Sequence, residues 1–281
     1  MQRTSKSKAF LELMRPGNCI IAAAATAIGF FLAAGIGGAL QAPIFLVGAM
    51  ASAFLVCAGG QVINDVFDAR IDKKVHPKKP IPSKRATTLE AVVFALGLFI
   101  VGVLISSFIN LLALEIAAAF SILLILYSAL LYKTKYIGNI IVALGTAFTF
   151  VFGASAAFGE VPLLVAVLAG SAFFANMARE VTKDLSDLKK DKEFKRTLPM
   201  ITLKGAKGVV FLYYLCAVLL ALWAYVEFNL NFGYLAFVII SAFIFARAAG
   251  LVLSNKYEKS HKLSKKGMIA SLVAYILAIL G

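Results

Sequence analysis

Residues 43–72 read PIFLVGAMASAFLVCAGGQVINDVFDARID, an uncharged run that ends in three aspartates. The first two-thirds of the stretch contain no charge and are long enough for one membrane-spanning helix, which needs about 20 apolar residues. Asp65, Asp68 and Asp72 follow at once. A carboxylate is costly to bury near a membrane. Three of them at the end of one span therefore indicate either a cationic partner that neutralises them or a functional site.

The same alternation of apolar runs and charged connections continues along the whole chain. Hydrophobic residues make up 61% of the 281 residues and charged residues 15%, against about 45–50% and about 25% in soluble domains. This pattern excludes an ordinary soluble domain and predicts an all-α integral membrane protein, with nine transmembrane helices in a single membrane-embedded domain over 1–281. The predicted segments, of which the last is the shortest, are 17–40, 43–64, 88–108, 110–131, 137–158, 161–182, 208–226, 231–252 and 266–280.

The positive charges all fall on one side of this arrangement. The 28 Lys and Arg residues lie in the N-terminal arm and in the connections 65–87, 132–136, 179–207 and 247–266. Since basic connections face the cytoplasm, we expect a cell-membrane protein with its N-terminus inside and its C-terminus outside. A polar cytoplasmic cap is predicted from 65–87, 132–136 and 183–207. Topology thereby accounts for the net charge of +14 without a nucleic-acid partner.

The acidic triad occurs twice with one spacing. Asp184, Asp187 and Asp191 in KDLSDLKKD repeat the D-x-x-D-x-x-x-D pattern of NDVFDARID. The basic-proline stretch KKPIP at 78–82 is echoed by KRTLP at 195–199. The triads follow the second and sixth segments and therefore share an orientation. We expect a parallel pseudo-repeat of four-helix units, with the ninth helix added.

Each triad presents its carboxylates as one stripe if its helix continues beyond the membrane edge, because residues three and seven apart share a helix face. In one interpretation nearby cations neutralise the stripes as an interfacial salt network. The candidate cations are Arg70, Lys73, Lys183, Lys189 and Lys190. In the other, two facing triads bind Mg²⁺, which uses few carboxylates and takes further ligands from phosphate and water. A diphosphate with a long apolar tail, such as an isoprenyl diphosphate, suits a site of this kind.

These motifs resemble the UbiA superfamily of intramembrane prenyltransferases. NDVFDARID at 64–72 matches its N-D-x-x-D-x-x-x-D motif, and DLKKD at 187–191 resembles its second motif, D-x-x-x-D. RPGN at 15–18 resembles the R-P-x-N at the start of its first helix. The resemblance covers essentially the whole chain. It implies nine bundled helices with a cytoplasmic cap, an isoprenyl diphosphate donor, a surrounding of membrane lipids, and Mg²⁺ as cofactor, with two ions bridging the diphosphate.

The resemblance also implies roles for individual residues. The catalytic residues would be Asp65, Asp68, Asp72, Asp187 and Asp191, which with Asp184 would also be the metal ligands. The substrate-binding residues would be Arg15, Asn18, Asn64, Lys133, Lys183 and Asp184. The family's Tyr-x-x-x-Lys element is not kept, because Tyr127 and Lys133 lie farther apart in YSALLYKTK. Lys133 is therefore open to a second interpretation, as a basic residue that only fixes topology.

Within the superfamily the chain most resembles the archaeal branch that forms the second ether bond of archaeal membrane lipids. That activity would transfer a geranylgeranyl group from geranylgeranyl diphosphate to the free hydroxyl of geranylgeranylglyceryl phosphate, a lipid-phosphate acceptor. An alternative is prenyl transfer to an aromatic acceptor in quinone or haem biosynthesis. A transporter is a third interpretation, disfavoured because transporters bind their coupling ions near the midplane and both triads are at one edge.

Overall fold

The computed structural model describes residues 6–131, 135–191 and 197–280, but not the side chains of 131, 135 and 189–191. This part of the chain forms twelve α-helices and one π-helical turn and contains no β-strand, so the predicted all-α class is confirmed. The elements are α1 (Lys6–Met14), α2 (Pro16–Gln41), α3 (Pro43–Phe67), α4 (Ala69–Val75), α5 (Thr88–Ser107), α6 (Leu111–Leu126), the π turn (Tyr127–Leu131), α7 (Lys135–Phe158), α8 (Leu163–Asp191), α9 (Leu198–Ile201), α10 (Leu203–Glu227), α11 (Phe232–Leu253) and α12 (Tyr257–Ile279).

Each of the nine predicted segments lies on one of the long helices. Eight helices in the described residues, all the long ones except α12, are long and apolar enough to cross a membrane. Many large apolar side chains on these helices are exposed, as expected where lipid rather than protein surrounds the outer face. The chain is an integral multi-pass membrane protein.

The ninth predicted segment forms the second part of α12. The helix begins nine residues earlier than predicted, at Tyr257, and its first turns carry several lysines. Its apolar part packs against α2, α8 and α11. The hydroxyl of the buried Tyr275 donates to the carbonyl oxygen of Leu168 at 3.1 Å, which ties the end of α12 to the start of α8.

Two asparagines hold equivalent turns of the bundle. Asn110 caps α6 with its side-chain oxygen and donates from Nδ2 to the carbonyl of Ser155 near the end of α7, at 2.8 Å. Asn231 caps α11 in the same way and donates to the carbonyl of Leu277 near the end of α12, at 2.6 Å. Each side chain satisfies an orphan amide of a helix start and a carbonyl of a neighbouring helix end, so it fixes three helices at once.

Helices α2 and α7 cross in the middle of the bundle at a pair of glycines. A Cβ on Gly29 would overlap the backbone of Phe150, and a Cβ on Gly153 would overlap the backbone of Thr26. Small residues allow the two backbones to approach closely, as is usual where membrane helices pack. The first four long helices and those that follow are therefore joined through a tight central contact.

The contacts place both acidic triads at one end of the bundle. Arg15, at the start of α2, bonds Asp65 near the end of α3, so these two helix ends are adjacent. The α5–α6 turn lies at the other end, where Asn110 bonds Ser155 in the last turn of α7. Helix α8 begins at that far end and runs back to Asp191. The second triad therefore ends its helix on the same side as the first.

Candidate active site

Arg15 connects the start of α2 to the end of α3. It is the N-cap of α2, between α1 and Pro16, with φ 49° and ψ 64°, a left-handed conformation that is uncommon for a residue other than glycine and often marks a functional site. Its guanidinium donates to Gln61 Oε1 at 2.9 Å and to Asp65 Oδ1 at 2.5 Å. The bent backbone thus aims a cation at the first aspartate of the triad.

Lys79 bridges the two ends of the first triad. Its ammonium group donates to Asp65 Oδ1 at 3.1 Å and to Asp72 Oδ2 at 2.7 Å. Asp65 and Asp72 are buried, while the Lys79 side chain is 27% exposed. Both carboxylates therefore face one point, and that point accommodates a cation. Arg70 and Lys73, two of the neutralising residues suggested from the sequence, are instead exposed.

The first triad spans a helix break, which the single stripe predicted from the sequence did not include. Helix α3 ends at Phe67 and α4 begins at Ala69, so Asp68 lies between them with ψ −4°. Asn64 Nδ2 donates to Asp68 Oδ2 at 3.1 Å. The break leaves Asp65 and Asp72 on a common side, since both reach Lys79.

The second triad has a different setting. Helix α8 continues without a break to Asp191, nine residues beyond the predicted apolar segment, so its backbone has the predicted stripe geometry. Asp184 is fully buried and accepts a hydrogen bond of 2.7 Å from Asn139 Nδ2 of α7. Asp187 is half-buried. The side chain of Asp191 lies outside the described residues.

Two further charges lie on α8, inside the segment predicted to be apolar. Glu180 is 6% exposed, and Arg179 Nη1 donates to its Oε1 at 2.8 Å and to Asn176 Oδ1 at 3.1 Å. The exposed Lys183 reaches Glu180 at 3.9 Å. Arg179, Glu180 and Asn176 were not among the residues predicted from the sequence. An acid and a base within an otherwise apolar run are a usable signal, because such residues in a membrane indicate a functional site.

His261, in the first turns of α12, faces the same charges. Burial, followed by the positive charge of Arg179, lowers the pKa of His261 below its ordinary value. The imidazole is therefore neutral at pH 7, with one nitrogen as donor and the other as acceptor. Lys265, Glu180 and Lys183 also exert charge–charge effects on this ring, so charged residues of both α8 and α12 lie near it.

The remaining predicted site residues either have no described hydrogen bond to the first triad or lie outside the described part of the chain. Asn18 is exposed, and among the described residues it has no side-chain hydrogen bond to the first triad. Lys133 lies outside the described residues, as do the side chains of Lys189 and Lys190. Lys79, Gln61 and Asn139 were missed. Lys79 could have been predicted, because the KKPIP stretch that contains it recurs in similar form as KRTLP after the second triad. Nothing in the sequence pairs Asn139 with Asp184.

The oxygen ligands of the two triads suit a hard divalent cation, but the described ones do not form a complete coordination site by themselves. No three His, Cys, Asp or Glu side chains converge on one point in the part of the chain that the structure describes. The available ligands are carboxylate and amide oxygens, which Mg²⁺ prefers, and Mg²⁺ also takes ligands from phosphate and water. The ammonium group of Lys79 already occupies the gap between Asp65 and Asp72. That gap is therefore suited to positive charge, and the residues fit a magnesium–diphosphate group.

Comparison with known proteins identifies the family. Residues 22–273 match the model of the UbiA prenyltransferase family. Digeranylgeranylglyceryl phosphate synthase of Methanopyrus kandleri is 36% identical over 279 residues, which cover 97% of this chain and 100% of that protein. A solved structure from work on digeranylgeranylglyceryl phosphate synthase in membranes superposes with a TM-score of 0.84 at 31% identity, covering 98% of each chain.

A more distant solved structure shares the fold. It is a UbiA homolog from Archaeoglobus fulgidus bound to GPP and Mg²⁺, with a TM-score of 0.69 and 18% identity, covering 97% of this chain and 98% of that one. The matched residues run through nearly all of the bundle, from α2 to α12, and include both acidic triads. The chain therefore belongs to the UbiA prenyltransferase family.

Proposed function

We propose that this protein transfers a geranylgeranyl group from geranylgeranyl diphosphate to the free hydroxyl of geranylgeranylglyceryl phosphate. The observation that carries the proposal is the pair of aspartate clusters at one end of the bundle, the first already arranged around a cation. Near full-length similarity to digeranylgeranylglyceryl phosphate synthase supports the choice of acceptor.

In the proposed reaction a carbon–oxygen bond forms between the acceptor hydroxyl and C1 of the prenyl chain. The bond from C1 to the diphosphate breaks, the diphosphate leaves, and the hydroxyl proton is released to a base. Asp65, Asp68, Asp72, Asp187 and Asp191, with Asp184, would hold Mg²⁺, as two ions bridging the diphosphate. When bound, Mg²⁺ would neutralise the charge that develops on the leaving diphosphate.

The chain's own cations would act on the same leaving group. Arg15 and Lys79 present N–H donors beside Asp65, and charge-assisted hydrogen bonds to phosphate oxygens are among the strongest that side chains make. Asn64, Asn18, Lys133 and Lys183 are the further substrate-binding residues of the proposal. The apolar bundle would surround the prenyl chain and keep water away from the ionised carbon.

The membrane arrangement belongs to the same proposal. We infer nine spans with α12 as the ninth, a cytoplasmic cap that contains both triads, an inside N-terminus and an outside C-terminus. The one-sided distribution of Lys and Arg supports this orientation. The matching roles of Asn110 and Asn231 support a pseudo-repeat of four helices, which brings two similar acidic ends to one side.

Product analysis by mass spectrometry tests the proposal. Purified protein is incubated with prenyl diphosphates of several lengths and with lipid-phosphate or aromatic acceptors, each with Mg²⁺ and with EDTA. We expect one product, the mass of geranylgeranylglyceryl phosphate plus one geranylgeranyl group, formed only with Mg²⁺. Preferential prenylation of an aromatic acceptor would replace this proposal with the aromatic alternative.

A further inference from the structure

An ion pair lies near the end of the predicted apolar segment of α8, and neither of its residues is among the proposed metal ligands. Glu180 is 8% exposed at its side chain and Arg179 23%, and their closest atoms are 2.8 Å apart. Ionisable residues inside membrane helices are rare and are usually functional. Asn176 fixes the Arg179 guanidinium from one turn away, and Asn176 itself donates to Thr146 Oγ1 of α7 at 2.8 Å. The pair is therefore held in position from two helices.

A second helix brings more positive charge to this pair. Hydrogen bonds hold the first turns of α12 against its neighbours: Ser260 donates to the carbonyl of Ala248 on α11 at 2.8 Å, and the hydroxyl groups of Ser264 and Tyr214 of α10 are hydrogen-bonded at 2.5 Å. Helix α12 also packs against α8, and the charged residues Arg179, Glu180 and Lys183 of α8 act on His261. Lys265 lies one helical turn from His261, is exposed, and acts on the same ring.

The charged residues that act on His261 are mostly positive. Among the described residues, Arg179, Lys183 and Lys265 act on it as cations and Glu180 acts on it as an anion. Within the described residues, His261 Nδ1 is buried and has no hydrogen-bond partner. A buried polar atom without a partner costs free energy, and excess positive charge at a membrane edge attracts an anion. A ligand with several negatively charged oxygens would meet both demands.

We propose that Arg179, His261 and Lys265 bind the phosphate monoester of the lipid acceptor. Glu180 and Asn176 are positioning residues that hold the guanidinium. The inference rests on the proposed function and deepens it. Glu180 and Asp184 are one turn apart on α8, about 6 Å along the helix axis. A phosphate bound here would therefore leave the neighbouring hydroxyl of a glycerol phosphate close to the second acidic cluster.

The first test measures binding without turnover. In EDTA and without donor, the melting temperature of the protein in neutral-lipid nanodiscs is recorded with geranylgeranylglyceryl phosphate, with the phosphate-free geranylgeranylglycerol, and with inorganic phosphate. We expect the phosphorylated lipid to raise the melting temperature of the wild type and to do so less in Lys265→Gln. The phosphate-free lipid should affect both proteins equally. A further measurement uses nanodiscs that contain phosphatidic acid. It tests whether the phosphate headgroup of an ordinary membrane lipid binds at the same residues.

The second test measures turnover in matched variants. Lys265→Gln should raise the acceptor KM about tenfold, the usual value of one hydrogen bond to a charged group, and leave kcat and the donor KM unchanged. Lys266→Gln, which removes the same charge from the next position, should have no effect. Arg179→Lys keeps the charge beside Glu180 and loses the fork geometry, so it should also raise the acceptor KM while folding normally.

Three outcomes would overturn the inference. They are an unchanged acceptor KM in both variants, an equal rise in donor KM, and stabilisation by phosphatidic acid or inorganic phosphate but not by the acceptor. Failure of the proposed function is separable from these results. In that case the wild type makes no product from the acceptor, while the binding experiment still reports whether this group of residues recognises a phosphate monoester.

Discussion

The two acidic clusters share one sequence spacing but differ in the backbone that carries them and in the contacts described for their buried aspartates. In the first half, Asp65 and Asp72 are bridged by Lys79, and Arg15 pairs with Asp65, across a break between α3 and α4. In the second half, the helix is unbroken, and Asp184 is fully buried against the amide of Asn139. The first cluster thus contacts long, partly exposed cations, and the second is anchored by a short neutral side chain from a neighbouring helix.

This difference indicates that the two clusters have different roles. A lysine ammonium on a flexible stem can move to another anion when a metal arrives, so the first cluster is suited to exchange its cation. A buried carboxylate held by an amide is fixed in place, because moving it would leave a polar group unsatisfied. We infer that the first cluster adapts to the metal and diphosphate, while the second provides a rigid wall.

The largest effect on activity is expected from substitutions of aspartates that bind metal in the proposed reaction, one in each cluster. Asp68→Ala and Asp187→Ala should each reduce prenyl transfer by about 10²–10³-fold, because each would remove negative charge from the proposed metal–diphosphate site. The fold should be retained, since both residues are partly exposed. Product formation and the melting temperature measure the two effects. Normal Mg²⁺-dependent turnover in either variant would mean that the corresponding cluster is only a salt network.

The anchoring of the second cluster can be tested at Asn139. Asn139→Ala should lower the free energy of unfolding by about 1–3 kcal/mol, because the buried Asp184 carboxylate loses a hydrogen-bond donor. A double-mutant cycle with Asp184→Ala measures the coupling by thermal unfolding in detergent. Additive effects of the two substitutions would show that the amide does not stabilise this carboxylate.

The exchange of cations in the first cluster can be tested at Lys79. In EDTA, Lys79→Met should lower the free energy of unfolding by about 1–2 kcal/mol, since two buried carboxylates lose a shared cation. Adding Mg²⁺ alone, without the diphosphate, should stabilise the variant more than the wild type, because in the wild type the metal must first displace the Lys79 ammonium from Asp65 and Asp72. Lys78→Met, at the exposed neighbouring position, is the control. Equal stabilisation of both proteins by Mg²⁺ would contradict the exchange.

The smallest effect is expected at Lys133. If this residue touches the diphosphate, Lys133→Ala should raise the donor KM about threefold, the value of one weak charge contact. The acceptor KM should not change. Steady-state kinetics with each substrate varied in turn separates the two constants. An unchanged donor KM would assign Lys133 to membrane topology alone.

Much of the fold could be predicted because lipid imposes a strict rule on sequence. Backbone groups in hydrocarbon must be satisfied within the helix, so long uncharged runs could only be helices, and all nine predicted segments are helical. Helix ends were less predictable. Helix α8 continues to Asp191 because the lysines and leucines between its aspartates are good helix formers, so the appearance of charge does not mark a helix end. The same ambiguity hid the break at Asp68.

By itself the sequence determined the helical class, the repeated acidic spacing and the one-sided distribution of basic residues, since hydrophobic length and charge are properties of the chain. Only the tertiary structure decided which side chains interact. Lys79 reaches Asp65 from a loop, Asn139 reaches Asp184 from another helix, and Arg179 acts on His261, which is remote from it in the sequence. Such pairings depend on distances between helices that are remote in sequence, and side-chain contacts of this kind leave no periodic signal in one sequence.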